Sequence, residues 1–241
     1  MKGRKTGGFP LGEPRWEARA WRAGKPTLLV CALTALVFLS RLPFLGAGYG
    51  NDPDAWSMAN AAGHIARTGE YMASRLPGYP LPELTYALMT RLGLAEPEFF
   101  NGMTALLSAV GSLLFVYILK AHGSRDAALG GLALAFTPVY FINSTNSMDY
   151  VWGLTLVLAG TACILRDQIP AAAVCLGLAI GCRLPSGAML LPLSVLIIWR
   201  RGRAKPAAIL GFCALACAVG ALFYVPAVSR YGLRFLGFSG N

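Results

Sequence analysis

Long apolar runs separated by short, basic connections set the pattern of this chain. The first runs from Thr27 to Ser40, and six more follow at roughly 102–120, 127–143, 150–165, 169–183, 186–199 and 206–226. Several approach the ~20 residues that a helix needs to cross a bilayer core. The pattern therefore predicts an all-α polytopic membrane bundle of about seven transmembrane helices, over residues 27–226. A basic stretch precedes the first run as in a signal peptide, but the run passes into Arg41-Leu42-Pro43-Phe44 without a small-x-small cleavage site, so it is read as an uncleaved span.

Between the first and second spans, 46–101 carries polar punctuation instead of a span. Asp52-Pro53 fits the N-cap and first position of a helix, and Gly69 fits its stop. Ser57, Asn60, His64 and Arg67 then form a polar stripe, with Trp56, Ala59, Ile65 and Ala66 opposite. After Arg75-Leu76-Pro77-Gly78-Tyr79-Pro80, a second helix is expected from Pro82 to Leu92, with Leu84, Leu88 and Leu92 as its apolar face. The expectation is two amphipathic helices lying in the membrane interface, joined by a rigid turn.

Charge then orients the bundle. Lys2, Arg4, Lys5, Arg15, Arg19, Arg22 and Lys25 crowd a polar arm over residues 1–26, where Trp16 and Trp21 also allow a short helix on the membrane surface. Lys120, Arg125, Arg166, Arg200, Arg201, Arg203 and Lys205 fall on the same side of the alternating spans. The opposite side holds Arg41, Arg67, Arg75, Arg91, Arg183, Arg230 and Arg234 over much longer segments, so the N-terminus is expected in the cytoplasm. The net charge of +10 follows this membrane pattern and not a nucleic-acid-binding one. The 56% hydrophobic and 13% charged composition excludes an ordinary soluble domain. The six cysteines sit inside apolar runs without metal-ligand spacing and are read as small buried hydrophobes.

Three features carry candidate chemistry, all on the extracytoplasmic side of this topology. Asp52 and Asp54 can act as a general base towards an acceptor, or bind a metal; each is also a plausible helix-terminus acid. Asp149 lies in the polar connection 143–150 and is a second acid, a metal-site candidate, or a cap on the fourth span. Arg183 sits near membrane depth, where a guanidinium is costly unless paired or wet, and its fork suits a phosphate. Arg75 is a further contact for a phosphate or a partner acid, and His64 and Tyr79 are candidate acceptor or donor contacts. Asp52 and Asp149 could jointly recruit magnesium or manganese. Between the two first-loop acids, Asp52 is favoured as base because it stands at a helix entrance after Gly50-Asn51.

Arg41-Leu42-Pro43-Phe44, Asp52-Pro53-Asp54, Ala61-Ala62-Gly63-His64-Ile65-Ala66, Thr68-Gly69-Glu70-Tyr71 and Ser74-Arg75-Leu76-Pro77-Gly78-Tyr79-Pro80-Leu81 follow one another in this order. Together with Thr137-Pro138 leading to Asp149, and Gly181 to Pro185 with Arg183, they resemble the GT-C membrane glycosyltransferases, notably the protein O-mannosyltransferase and aminoarabinose transferase branch. The resemblance implies transfer of a sugar from a polyprenyl-phosphate donor to an acceptor outside the cytoplasm, in a bacterial inner membrane. It places the catalytic base at Asp52 or Asp54, a second acid at Asp149 and a donor-phosphate contact at Arg183. On this pattern the chain corresponds to the N-terminal helical module, with 227–241 the start of a truncated extracytoplasmic tail. Two other classes fit the same apolar pattern: a lipid or solute transporter or flippase, and a non-catalytic membrane subunit that keeps the scaffold.

Overall fold

The structure, a computed structural model, describes residues 26–201 and 206–232. Residues 1–25 of the basic arm, where a short surface helix is expected, Arg203 and Lys205, and residues 233–241 with Arg234 lie outside the described residues. Ten α-helices follow one another, with no strand among the described residues: α1 (Pro26–Leu39), α2 (Pro53–Thr68), α3 (Pro80–Arg91), α4 (Pro97–Ala121), α5 (Ala127–Phe136), α6 (Pro138–Asn143), α7 (Tyr150–Leu165), α8 (Ile169–Cys182), α9 (Leu190–Arg201) and α10 (Pro206–Tyr231). Single 3₁₀ segments follow α1 at Leu42–Phe44 and α8 at Leu184–Met189. Proline opens α1, α2, α3, α4, α6 and α10. Its missing N–H costs nothing in the first turn, and its fixed φ already suits the helix.

Among the described residues two helices, α4 and α10, are long and apolar enough to cross a membrane. The other apolar helices are shorter, and the run 127–143 is not one continuous helix. Pro138 removes a donor and pushes Thr137 out of helical geometry (φ −59°, ψ 126°), which divides the run into α5 and α6. The run 186–199 likewise starts as a 3₁₀ segment before α9 begins, and the last run continues past 226 to Tyr231.

Packing is sequential: α1 and α5 lie on α4, α4 on α7, α7 on α8, and α8 on α10. The closest approach is between α8 and α10. A Cβ added at Gly177 would stand 2.5 Å from the Val219 Cβ and 2.8 Å from the Ala216 carbonyl oxygen, and Gly181 and Gly220 are as crowded. Small residues four apart let two backbones meet in this way. The pair α2–α3 packs on itself, and α3 reaches α8 and α10. Tyr86 anchors α3: fully buried, it stacks on Phe100 and shares a 2.9 Å hydrogen bond with Thr104.

Several expected faces are rotated. On α2 the buried side is Ala55, Met58, Ala61, Ala62 and Ile65, whereas Trp56 is half exposed and donates to the Gly50 carbonyl at 2.9 Å. On α3 the buried side is Pro80, Pro82, Glu83, Tyr86 and Ala87; Leu88 and Leu92 point outward. Large apolar side chains are also exposed on α1, α5, α9 and α10, among them Leu28, Leu129, Leu191, Trp199, Leu210 and Leu222. Cys31 and Cys217 belong to this exposed set, which corrects the reading of all six cysteines as buried.

Candidate active site

The two polar connections, before α2 and before α7, are joined through α4. Asn101, a buried amide in α4, donates to the carbonyls of Leu45 and Gly48 at 2.8 Å each. Its carbonyl oxygen accepts from the Ser147 hydroxyl at 2.8 Å, and the Ser147 amide donates to the Tyr49 carbonyl at 2.8 Å. A single amide in an apolar helix thereby ties the loop before α2 to the loop before α7. Arg41 ties the end of α1 to the α5–α6 break. Fully buried, it donates to the Ser144 and Ser40 hydroxyls and the Ala135 carbonyl, with its guanidinium 4.4 Å from the Phe141 ring centre. A guanidinium with these partners is a structural staple and not a free surface charge.

Asp52 and Asp54 separate in role. Asp52 is exposed and extended, and its Oδ1 accepts from the Asp54 amide at 2.9 Å, which makes it the N-cap of α2. Asp54, half-buried in the first turn, pairs with Arg75. Arg75 in turn donates from Nε to the Tyr79 hydroxyl at 2.8 Å and lies over the Tyr79 ring. The turn that carries Arg75 is held from below by Glu83. This fully buried carboxylate accepts from the Ser74 amide at 2.7 Å, from the Ser74 hydroxyl at 2.6 Å, and from the Tyr71 hydroxyl. Burial raises the Glu83 pKa, and its hydrogen bonds with Ser74 and Tyr71 oppose that. Gly78, at φ 96°, closes the turn where a Cβ would meet the Tyr71 hydroxyl at 2.6 Å.

Asp149 occupies the N-cap position of α7, but its side chain makes no cap hydrogen bond. It is fully buried, and its Oδ2 lies 2.7 Å from Arg183 Nε, an ion pair without aligned hydrogen-bond geometry. Oδ1 receives no hydrogen bond. Burial pushes the Asp149 pKa up to about 6, against the pull of Arg183 and Arg75. Arg183 follows α8 with an extended backbone (φ −153°, ψ 119°), and its guanidinium sits 4.1 Å from the centre of the Tyr150 ring. The Asp149 side chain does not cap α7, and Arg183 is paired, one of the two conditions that its depth requires.

These groups belong to one cluster. The charges of Asp149, Arg75 and Arg183 all act on Tyr79, whose pKa is raised first by burial. Burial works against the charged form of Arg75, yet Tyr79, Tyr150 and Asp149 more than offset it and raise its pKa. The first turn of α2, the α2–α3 connection, the connection before α7 and the segment after α8 thus deliver two carboxylates and two guanidiniums to one place. The side chains of Arg75 and Arg183 stay 35% and 28% exposed, so both forks can reach an outside anion. A shallow polar hollow of about 460 Å³ opens beside Asp52, lined also by Asn143 and Asn146.

Of the sequence-predicted residues, Asp54, Arg75, Tyr79, Asp149 and Arg183 converge. His64 lies farther along α2 and makes no ion pair with the cluster. No group of three or more His, Cys, Asp or Glu that could hold a metal occurs among the described residues, and Asp52 and Asp149 are engaged elsewhere, as a cap and as an ion-pair partner. Glu83, Tyr71, Tyr150 and Asn101 were not signalled as site residues by pattern. An acid and an amide on otherwise apolar buried faces were the available hints. No family model matches the chain, and no curated protein or solved structure matches it.

Proposed function

We propose that this chain is the helical module of a membrane glycosyltransferase that takes a sugar from a polyprenyl-phosphate donor and passes it to an acceptor on the extracytoplasmic side. The observation that carries the reading is the convergence of Asp54–Arg75 and Asp149–Arg183 beside Tyr79 and Tyr150. The ordered resemblance to GT-C enzymes and the exposed apolar side chains on α1, α5, α9 and α10 support it. On this reading the apolar helices make a seven-pass bundle in a bacterial inner membrane, N-terminus inside, with α2 and α3 lying in the outer interface and the outward leucines of α3 in lipid.

The donor phosphate sits against the Arg75 and Arg183 forks. Asp54 takes the proton from an acceptor hydroxyl or amine arriving from the hollow beside Asp52. The acceptor atom bonds to the anomeric carbon, the bond from that carbon to the phosphate oxygen breaks, and polyprenyl phosphate leaves with the electron pair, its charge met by the guanidiniums. Asp52 holds the helix entrance, so the base moves from Asp52 to Asp54.

The test is transfer from a polyprenyl-phosphate sugar in proteoliposomes containing the full chain. Asp54→Asn should lower transfer by about 10²–10⁴-fold, the usual contribution of a general base, while Asp52→Asn should retain most of it. Equal activity of Asp54→Asn and the parent chain would remove Asp54 from the mechanism.

A further inference from the structure

A second lipid-facing feature lies at the other end of the same helices. A groove of about 320 Å³ runs over α4, with Val30 of α1, Leu113 of α4 and Ala159 of α7 among its apolar walls. Its volume is at the lower end of the ~300–1,000 Å³ typical of small-molecule sites. Tyr117, Lys120 and Arg166 line the same groove and supply its only polar or charged side chains apart from a cysteine. Arg166 lies 4.7 Å from the centre of the Tyr117 ring and donates from Nε to its hydroxyl at 3.2 Å. Neither Lys120 nor Arg166 is in any of the four ion pairs among the described residues. Two cations therefore end an apolar groove with no ion-pair partner among the described residues.

The groove is at the opposite end of the bundle from the candidate active site. Asp149 precedes α7 and Arg166 follows it. The intervening 16 residues rise ~24 Å, most of the ~30 Å hydrocarbon thickness. In the orientation set by basic residues, Lys120 and Arg166 face the cytoplasmic leaflet, the one rich in anionic lipid.

We propose that this groove binds an anionic phospholipid of the cytoplasmic leaflet, with an acyl chain along Val30, Leu113 and Ala159 and the headgroup phosphate between Lys120 and Arg166. Charge complementarity selects the occupant: a zwitterionic lipid would bring a cation to two cations, and an uncharged chain would leave both unanswered. The Tyr117 ring holds the Arg166 fork at the rim, so the headgroup meets a preset donor. This proposal rests on the membrane-spanning part of the reading above and not on sugar transfer.

Native mass spectrometry of the full chain, equilibrated with equal phosphatidylglycerol and phosphatidylcholine, tests it. The parent chain should retain phosphatidylglycerol preferentially. Lys120→Gln, which breaks no described ion pair, and Arg166→Gln should each lower that retention about fivefold, the scale of one basic residue beside an anionic headgroup. Ala159→Phe should lower it by filling the wall. Equal retention of both lipids by the parent chain, or unchanged retention in both charge variants, overturns the proposal. Sugar transfer measured on the same preparations separates the two readings, because a parent chain that transfers sugar but retains both lipids equally overturns this site alone. A chain stripped from membranes by alkaline carbonate would overturn this site together with the membrane-spanning reading.

Discussion

Asp54 and Asp149 each face an arginine, whereas Asp52 commits an oxygen to the Asp54 amide. The two paired acids differ in burial, and this difference is measurable. Asp149 is fully buried with one oxygen unbonded, and its pKa in the folded chain, about 6, lies above the ordinary 3.8. A raised carboxyl pKa means that the folded state holds its proton more tightly than the unfolded state. The associated stability is complete below pH ~4 and is lost as pH rises through ~6, an amount of about 3 kcal/mol at 1.36 kcal/mol per unit. Thermal unfolding of the purified chain between pH 4 and 7 should therefore show a fall that Asp149→Asn lacks. Because Glu83 is shifted in the same direction, the difference between the two profiles is the quantity to read. Parallel profiles would mean that Asp149 does not carry the shift.

At the scale of elements, glycines set how closely α8 and α10 approach. Gly177→Ala puts a Cβ 2.5 Å from Val219 and 2.8 Å from a backbone oxygen that cannot move aside cheaply. It should cost about 1–3 kcal/mol, the usual penalty of overpacking, seen as a lower unfolding temperature in detergent. Gly211→Ala, on α10 with nothing within 4 Å of the added carbon, should be neutral or slightly stabilising. Helix boundaries were legible because proline and glycine mark them, as at Asp52-Pro53 and at Gly69, a left-handed C-cap with φ 76°. Helix faces were less legible. Lipid is as apolar as a core, so Leu88 and Leu92 look like interior residues while facing out, and Trp56 looks buried while half exposed. Thr137-Pro138 was visible as a motif, but its division of one apolar run into α5 and α6 needed the backbone.

For the whole molecule, pattern and charge led to the expectation that the polar connections lie on one side, and tertiary contacts decide which residues meet. The pairing of Asp54 with Arg75 and of Asp149 with Arg183 spans separations that no local periodicity reports. Asn101, reaching both loops from α4, is the device that brings the connections together. Glu83 does the same for the turn bearing Arg75. Both are polar groups on apolar helices, and their partners give the reason for their burial. The bundle thus carries a charged, balanced cluster at one end and, at the other, a pair of cations outside the ion pairs of the described residues.

The central claim is that the two guanidiniums hold a lipid-borne phosphate. Polyprenyl-phosphate affinity, measured on the full chain in nanodiscs, tests it most directly. Arg75→Gln and Arg183→Gln should each weaken binding about tenfold or more, as expected for losing one charge-assisted contact, and the two together should abolish it. Unchanged affinity in the double variant would contradict the account.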